Sequence, residues 1–330
     1  MNQTFKALVV DEINSTFERN IKNKNISDLP DNDVLIKVNY SSLNYKDVLS
    51  ATGNKGITRN YPHTPGIDVA GIVVKSKTEK IKEGDKVIVT GYDLGMNTSG
   101  GFGEYICVPS DWIVPKPDGI SLRTAMIIGT AGFTAMSAVL EIINYGIKPT
   151  DGKVVVSGAT GGVGIMATTF LSKLGYEVIV SSGKKEQYPF LEKAGAKEIF
   201  GRELLNEDSP KPILPQKWIA GIDTVGGNIL TNILKSLNKY GIVCTCGNIV
   251  STELQTSIFP FILRGVRLIG LASAETYMPK RLMIWNKIVP EFGSFNFDFL
   301  TKEIKLEELN REIDLMLVGK QIGRILISYD

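Results

Sequence analysis

The apolar positions in the first third of the chain fall in short β-branched runs: Ala7-Leu8-Val9-Val10, Val34-Leu35-Ile36-Lys37-Val38, Val69-Ala70-Gly71-Ile72-Val73-Val74 and Asp85-Lys86-Val87-Ile88-Val89. Gly, Pro, Asn and Asp separate them, which is the pattern of a compact β-rich domain with few helices before residue 121. From Leu122 the texture changes. Leu122 to Tyr145 holds two helix-length stretches, and Lys153 begins a strict alternation of strand and helix. Val154-Val155-Val156 precedes a predicted helix over 164–174, Val178-Ile179-Val180 one over 186–194, and the run 219–225 one over 228–237. Gly241-Ile242-Val243-Cys244-Thr245-Cys246 and Val266-Arg267-Leu268-Ile269-Gly270-Leu271 read as the last strands of the same sheet. Strands joined by helical crossovers pair in parallel, so the expectation is an α/β protein with a doubly wound parallel sheet. After Ser273 come amphipathic helices over 280–289 and 306–317 and a terminal strand at Ile325-Leu326-Ile327.

Size and charge narrow the class. A chain of 330 residues exceeds the size at which one core keeps growing, so two domains are expected. Its 37 basic residues nearly balance 35 acidic ones, with no basic run interleaved with aromatics. That argues against nucleic acid or a membrane surface as partner. The start, Met1-Asn2-Gln3-Thr4-Phe5, lacks a signal-peptide pattern, and no apolar run is read as approaching the roughly 18 residues of a spanning helix. The expectation is a soluble, cytoplasmic protein. Cys107, Cys244 and Cys246 form no disulfide framework and fit a reducing compartment.

The strand Val154-Val155-Val156 runs into Ser157-Gly158-Ala159-Thr160-Gly161-Gly162-Val163-Gly164 and then into a helix. Glycines in a strand–turn–helix context let backbone N–H groups approach a pyrophosphate at the positive end of the helix. The spacing is G-x-x-G-x-x-G rather than G-x-G-x-x-G, and a tight turn without ligand has the same glycines. About 20 residues on, NAD-preferring proteins place an acid on the adenosine 2′-hydroxyl. Here the second strand ends Val180-Ser181-Ser182-Gly183-Lys184-Lys185. A hydroxyl, a glycine and lysines suit a 2′-phosphate, so NADPH is favoured over NADH. The two lysines also fit a solvated helix start.

With these residues placed, the chain resembles the zinc-free quinone-oxidoreductase branch of the medium-chain dehydrogenase/reductase superfamily, and within it the acrylyl-CoA reductase group. The pieces that carry the resemblance are Ser42-Leu43-Asn44-Tyr45-Lys46-Asp47, Pro65-Gly66-Ile67-Asp68-Val69-Ala70-Gly71, the stretch Ala125 to Met136, Gly221-Ile222-Asp223-Thr224-Val225-Gly226, and Phe259-Pro260-Phe261-Ile262-Leu263-Arg264. The resemblance implies a GroES-like β domain over 1–121 with a return over 273–330, and a Rossmann domain over 122–272. It implies no metal: zinc relatives hold ligands where this chain has Asn44 and Ile67, and near Gly129-Thr130, and His63 is the one histidine. Cys244 and Cys246, two apart on a predicted strand, read as packing residues.

Without a Lewis acid, the favoured chemistry is hydride delivery to an acceptor that is already polarised, such as an α,β-unsaturated carbonyl, with donors for the enolate oxygen and a proton source. Tyr45 is the leading catalytic candidate, since it falls where the zinc relatives keep catalytic groups and its phenol carries an O–H donor; it also fits a packed loop aromatic. Asn44 and Asp68 are further candidates with equally plausible loop-stabilising roles. For the cofactor the resemblance carries over Gly161, Gly162, Val163 and Gly164 at the pyrophosphate and Ser182, Gly183 and Lys184 at the 2′-phosphate. In this reading Tyr45 also orients nicotinamide, Arg202 offers a second cation, and Gly247, Asn248 and Ser273 lie on the nicotinamide side. Relatives place Arg where Lys184 stands, so phosphate recognition becomes a point-charge contact. The substrate is an enone, a quinone or a short acyl-CoA. Three functions follow: an acrylyl-CoA-type reductase, a quinone or general enone reductase, and an NADPH-binding sensor or structural protein without turnover. A homodimer is expected, formed by extending the Rossmann sheet with the apolar segment Ile258 to Leu263.

Overall fold

The computed structural model describes residues 3–329. Strands β1 (Thr4–Ile13) and β2 (Thr16–Asn25) form an antiparallel hairpin. Its two turn residues, Asn14 and Ser15, have φ of 49° and 63°, the left-handed turn that matches strand twist. There follow β3 (Val34–Ser42), α1 (Tyr45–Ala51), β4 (Asp68–Ser76), β5 (Lys86–Thr90), β6 (Tyr105–Val108) and β7 (Ile113–Pro115).

Helix α2 (Leu122–Asn144) is broken at Gly129, where φ is 48° and ψ −156°. It corrects one sequence expectation, because by length and composition these 23 residues could span a membrane. Arg123 and the scattered Gly, Thr and Ser disguise the run. In the fold 78% of its most apolar window is buried, so it is a core helix.

Next come β8 (Val154–Ser157), α3 (Gly162–Lys173), β9 (Val178–Ser181), α4 (Tyr188–Lys193), β10 (Glu198–Phe200), α5 (Glu203–Asn206), β11 (Trp218–Asp223), α6 (Gly227–Lys235), β12 (Leu237–Thr245), α7 (Phe259–Arg264) and β13 (Arg267–Gly270). All six strands pair in parallel, in the order β10-β9-β8-β11-β12-β13. This is the 3-2-1-4-5-6 order of a Rossmann sheet, with its switch point beside β8. The segment expected to extend that sheet corrects a second expectation. Ile258 is followed by helix α7, and β13 is the edge. Pro260 and the left-handed Gly265 start and stop a helix there.

The chain ends in α8 (Met278–Phe292), β14 (Thr301–Ile304), α9 (Leu309–Leu317) and β15 (Arg324–Ser328). A seven-stranded sheet runs β14-β15-β3-β4-β5-β7, with β6 also on β3. Leu8, Val10, Leu43, Val48 and Phe102 share one core with Leu309, Ile313, Ile325 and Ile327, which ties the last segment to the first. Two compact units result, one with residues up to Thr130 and from Ala274 on, the other Ala131–Ser273. The first crossover therefore falls inside α2, just past the break at Gly129, where the sequence expectation put it at 121/122.

Candidate active site

In the β-rich unit, Tyr45 opens helix α1 and is 39% exposed. Its hydroxyl bonds to no described residue. Behind it lies a buried polar network. Asp68 Oδ2 accepts from Ser42 Oγ at 2.7 Å, Asn44 Nδ2 at 2.8 Å and the Thr130 amide at 2.8 Å, and Oδ1 accepts from Thr130 Oγ1 at 2.6 Å. Gly129 makes the Thr130 contact feasible, since a Cβ there would lie 2.5 Å from Asp68 Oδ2. Strand β15 pairs with β3, Leu326 opposite Ser42, and so delivers Arg324 to the network. The guanidinium donates to the Ile127 carbonyl (2.8 Å), Ser42 Oγ (2.9 Å), Asn44 Oδ1 (3.3 Å) and the Leu43 carbonyl (3.4 Å), and lies 4.0 Å from Asp68 Oδ2. Asp47 accepts from the amides of Asn44 and Ile67, each at 2.8 Å.

This arrangement sorts the sequence candidates. The structure brings Tyr45, Asn44 and Asp68 together, and only Tyr45 keeps a free polar group. Asn44 spends its oxygen on Arg324 and its amide hydrogens on Asp68 and the Ser42 carbonyl. Asp68 is fully buried. Asp47 is buried as well, and burial first, then the charge of Asp68, push its carboxyl up to about 7. Burial also lowers the Arg324 pKa, with Asp68 and Asp47 opposing. Sequence reasoning missed Asp47, Ser42, Thr130 and Arg324 as members of one cluster. Asp47 ends the motif that begins at Ser42, whereas Arg324 carries no signal beyond preceding the last apolar run.

No three His, Cys, Asp or Glu side chains gather as a metal would require among the described residues. His63 is 6% exposed, and burial lowers its pKa. Ile67 is buried and Asn44 is committed to its neighbours, so the residues at the zinc relatives' ligand positions do not form a zinc donor set.

In the Rossmann unit, β8 gives way to the glycine turn at Ser157, and α3 starts at Gly162. A Cβ on Gly164 would come 2.4 Å from the Gly158 carbonyl and 2.7 Å from Ala159 Cα; a bare α carbon lets the helix close against the turn. Gly161, Gly162 and Val163 are half-buried, leaving helix N-terminal amides within reach of an anion. This cradle fits a pyrophosphate. Beneath it Asp223, fully buried, takes hydrogen bonds from Ser157 Oγ (2.7 Å), Thr245 Oγ1 (3.0 Å) and the amides of Gly226 (3.0 Å) and Val225 (3.2 Å). Burial raises its pKa and those bonds oppose the rise. It locks the ends of β8, β11 and β12 at one edge, a role the sequence motif did not disclose.

Where β9 ends, Ser182 Oγ accepts the Lys184 amide at 3.1 Å, and Gly183 is exposed. Burial lowers the Lys184 pKa, partly offset by Glu186, as for an ammonium half withdrawn from water. The Arg202 stem crosses Gly183 so closely that a Cβ there would meet Arg202 Nε at 3.0 Å. Its guanidinium makes no hydrogen bond or ion pair with a described residue. Gly247 abuts the Thr224 carbonyl, Asn248 is exposed, and Ser273 Oγ accepts from Thr134 Oγ1 at 2.7 Å. Burial pushes the Cys244 and Cys246 thiols up to about 12, so neither is a ready nucleophile.

Two family models match: the alcohol dehydrogenase GroES-like domain over residues 30–118 and the zinc-binding dehydrogenase over residues 162–285. The acrylyl-CoA reductase AcuI of Ruegeria pomeroyi is 38% identical over 98% of this chain and 99% of its own length. The yhdH oxidoreductase of Salmonella enterica, solved in complex with NADP, superposes with a TM-score of 0.96 at 39% identity, covering 98% of this chain and 100% of that one. The yhfP protein of Bacillus subtilis, solved with NAD bound, gives 0.95 at 38% identity, covering 99% of each chain. A quinone oxidoreductase of Sus scrofa is 32% identical over 66% of this chain and 65% of its own. The chain belongs to the medium-chain dehydrogenase/reductase superfamily, in the branch that holds the quinone oxidoreductases and acrylyl-CoA reductases.

Proposed function

We propose that this chain uses NADPH to reduce an activated carbon–carbon double bond, in acrylyl-CoA or a similar short α,β-unsaturated carbonyl compound. The observation that carries the reading is the corner at the end of β9, where Ser182, Gly183 and Lys184 replace the acid of NAD-binding proteins and an unpaired Arg202 lies over the glycine. A hydroxyl and two cations suit a phosphate dianion. Gly161, Gly162, Val163 and Gly164 would hold the pyrophosphate through backbone amides, and Gly247, Asn248 and Ser273 would flank the nicotinamide half. When bound, the dinucleotide supplies a hydride for the β carbon of the acceptor.

Tyr45 then serves as the donor. Its free phenol hydrogen-bonds the carbonyl oxygen on which negative charge collects, and its proton is available to the α carbon. Asn44 and Asp68 act as positioning residues, fixing the start of the helix that presents Tyr45. A quinone acceptor is the second reading, favoured by the name of the Sus scrofa relative. A homodimer formed through α7 is supported by exposed Ile258, Phe259, Ile262 and Leu263, and a cytoplasmic location by three free cysteines. Steady-state kinetics with NADPH test the proposal: kcat/KM for acrylyl-CoA should exceed that for 1,4-benzoquinone by roughly 100-fold or more, and the reverse order supports the quinone reading.

A further inference from the structure

Helix α6 turns one polar face toward the chain that links β10 to β11. Asn228, Asn232 and Lys235 follow one another at i, i+4 and i+7, so they share that face. Each donates to the stretch 205–209. Asn228 Nδ2 bonds Asp208 Oδ1 at 2.7 Å, Asn232 Nδ2 bonds the carbonyls of Leu205 at 2.7 Å and Glu207 at 2.8 Å, and Lys235 Nζ bonds the Ser209 carbonyl at 2.9 Å. Asn232 and Lys235 are only 5% and 8% exposed. A cavity of about 320 Å³, lined by these three side chains together with Asp208 and Ser209, lies between helix and strap. These polar bonds tie down the strap beside the apolar anchor that Leu205 makes against the buried face of α6, and burying an amide and an ammonium for that purpose is costly.

What the strap carries is Arg202. Its first residues form α5, whose Leu205 and Asn206 amides both donate to the Arg202 carbonyl at 3.1 Å. The Leu205 side chain is 3% exposed, which anchors the turn. Arg202 in turn lies over Gly183, beside Ser182 and Lys184.

We infer that Asn232 and Lys235 are positioning residues for cofactor specificity: by tying down the strap they hold Arg202 over Gly183, and so set the preference for a 2′-phosphorylated dinucleotide. The inference rests on the corner proposed above as the 2′-phosphate site. Both side chains bond to the strap and not to the corner itself. A loosened strap should therefore cost affinity for NADPH and leave NADH unaffected, whereas a general packing defect would weaken both.

Equilibrium titration of the full-length protein with NADPH, NADH and adenosine 2′,5′-bisphosphate, read by calorimetry, tests this. Arg202→Ala should weaken NADPH and the bisphosphate by about 10- to 100-fold, with NADH within about twofold. Asn232→Ala and Lys235→Met should weaken the same two ligands by about 3- to 10-fold with NADH unchanged. Asn228→Ala, at the exposed end of the row, should show the same selectivity more weakly and serves if the buried variants fail to fold. Wild type indifferent between the dinucleotides, or Arg202→Ala unchanged toward NADPH, overturns the corner and the inference with it. Strap variants that bind NADPH normally, or lose both dinucleotides equally, beside an impaired Arg202→Ala overturn the inference alone.

Discussion

Asp47 is the group whose titration the fold disturbs in the most measurable way. It is fully buried at the third position of α1, near Asp68, and Arg324 is the cation that serves both. Burial, and after it the Asp68 charge, raise its carboxyl from an ordinary 3.8 to about 7, against the pull of the Asn44 and Ile67 amides. The folded protein thus holds this proton more tightly than the unfolded chain, so stability falls as pH rises across the interval between the two values. The contribution is fully present below the unfolded value and is lost as pH passes the folded one. An interval of roughly 3 pH units at about 1.4 kcal/mol each amounts to about 4 kcal/mol. Asp47→Asn removes the titration while keeping an oxygen for one of the two amides. Urea unfolding of both proteins between about pH 5 and 8.5 isolates the effect, because other carboxylates cancel in the difference. Wild type should lose stability relative to the variant as pH rises toward about 7, and the difference should level off above about pH 8. Parallel curves across the range would refute the reasoning.

Three further outcomes follow from the same geometry. Tyr45→Phe should lower kcat for an enone about 100-fold, with thermal stability changed by no more than about 0.5 kcal/mol because the residue is exposed. Arg324→Met leaves Asp68 and Asp47 buried without a cation, so chemical denaturation should show a loss of about 3–5 kcal/mol. Gly164→Ala drives a methyl into the Gly158 carbonyl and should weaken binding of NADPH and NADH alike by roughly tenfold in the same calorimetric titration, since both share the pyrophosphate.

The Rossmann half is legible because a buried parallel sheet writes itself as continuous apolar runs between helical segments; β8, β9, β11, β12 and β13 fall on those runs, whereas the short, half-exposed β10 falls on none. The apolar stretch Leu122 to Tyr145 holds two helix-length runs, and the break at Gly129 divides it. Strand β2 escaped notice because Thr16–Asn25 is mostly exposed and its pairing comes from β1; periodicity reports burial, not hydrogen bonding. Ile258 to Leu263 looked like an edge strand since a short apolar run does not distinguish strand from helix. The catalytic candidates were legible as motifs, but their division of labour was not. Whether Asn44 has a free side-chain oxygen depends on Arg324, 280 residues away in sequence, and only the register of β15 on β3 brings the two together.

The central claim, hydride delivery from a nicotinamide dinucleotide to an activated double bond, is tested most directly by isotope transfer. Purified protein would be incubated with NADPH carrying deuterium at the transferable position and with acrylyl-CoA, and the thioester product examined by mass spectrometry. One deuterium at the β carbon of a saturated product is the predicted result. Recovery of unreacted acrylyl-CoA, or of a reduced product without the label, would contradict the account.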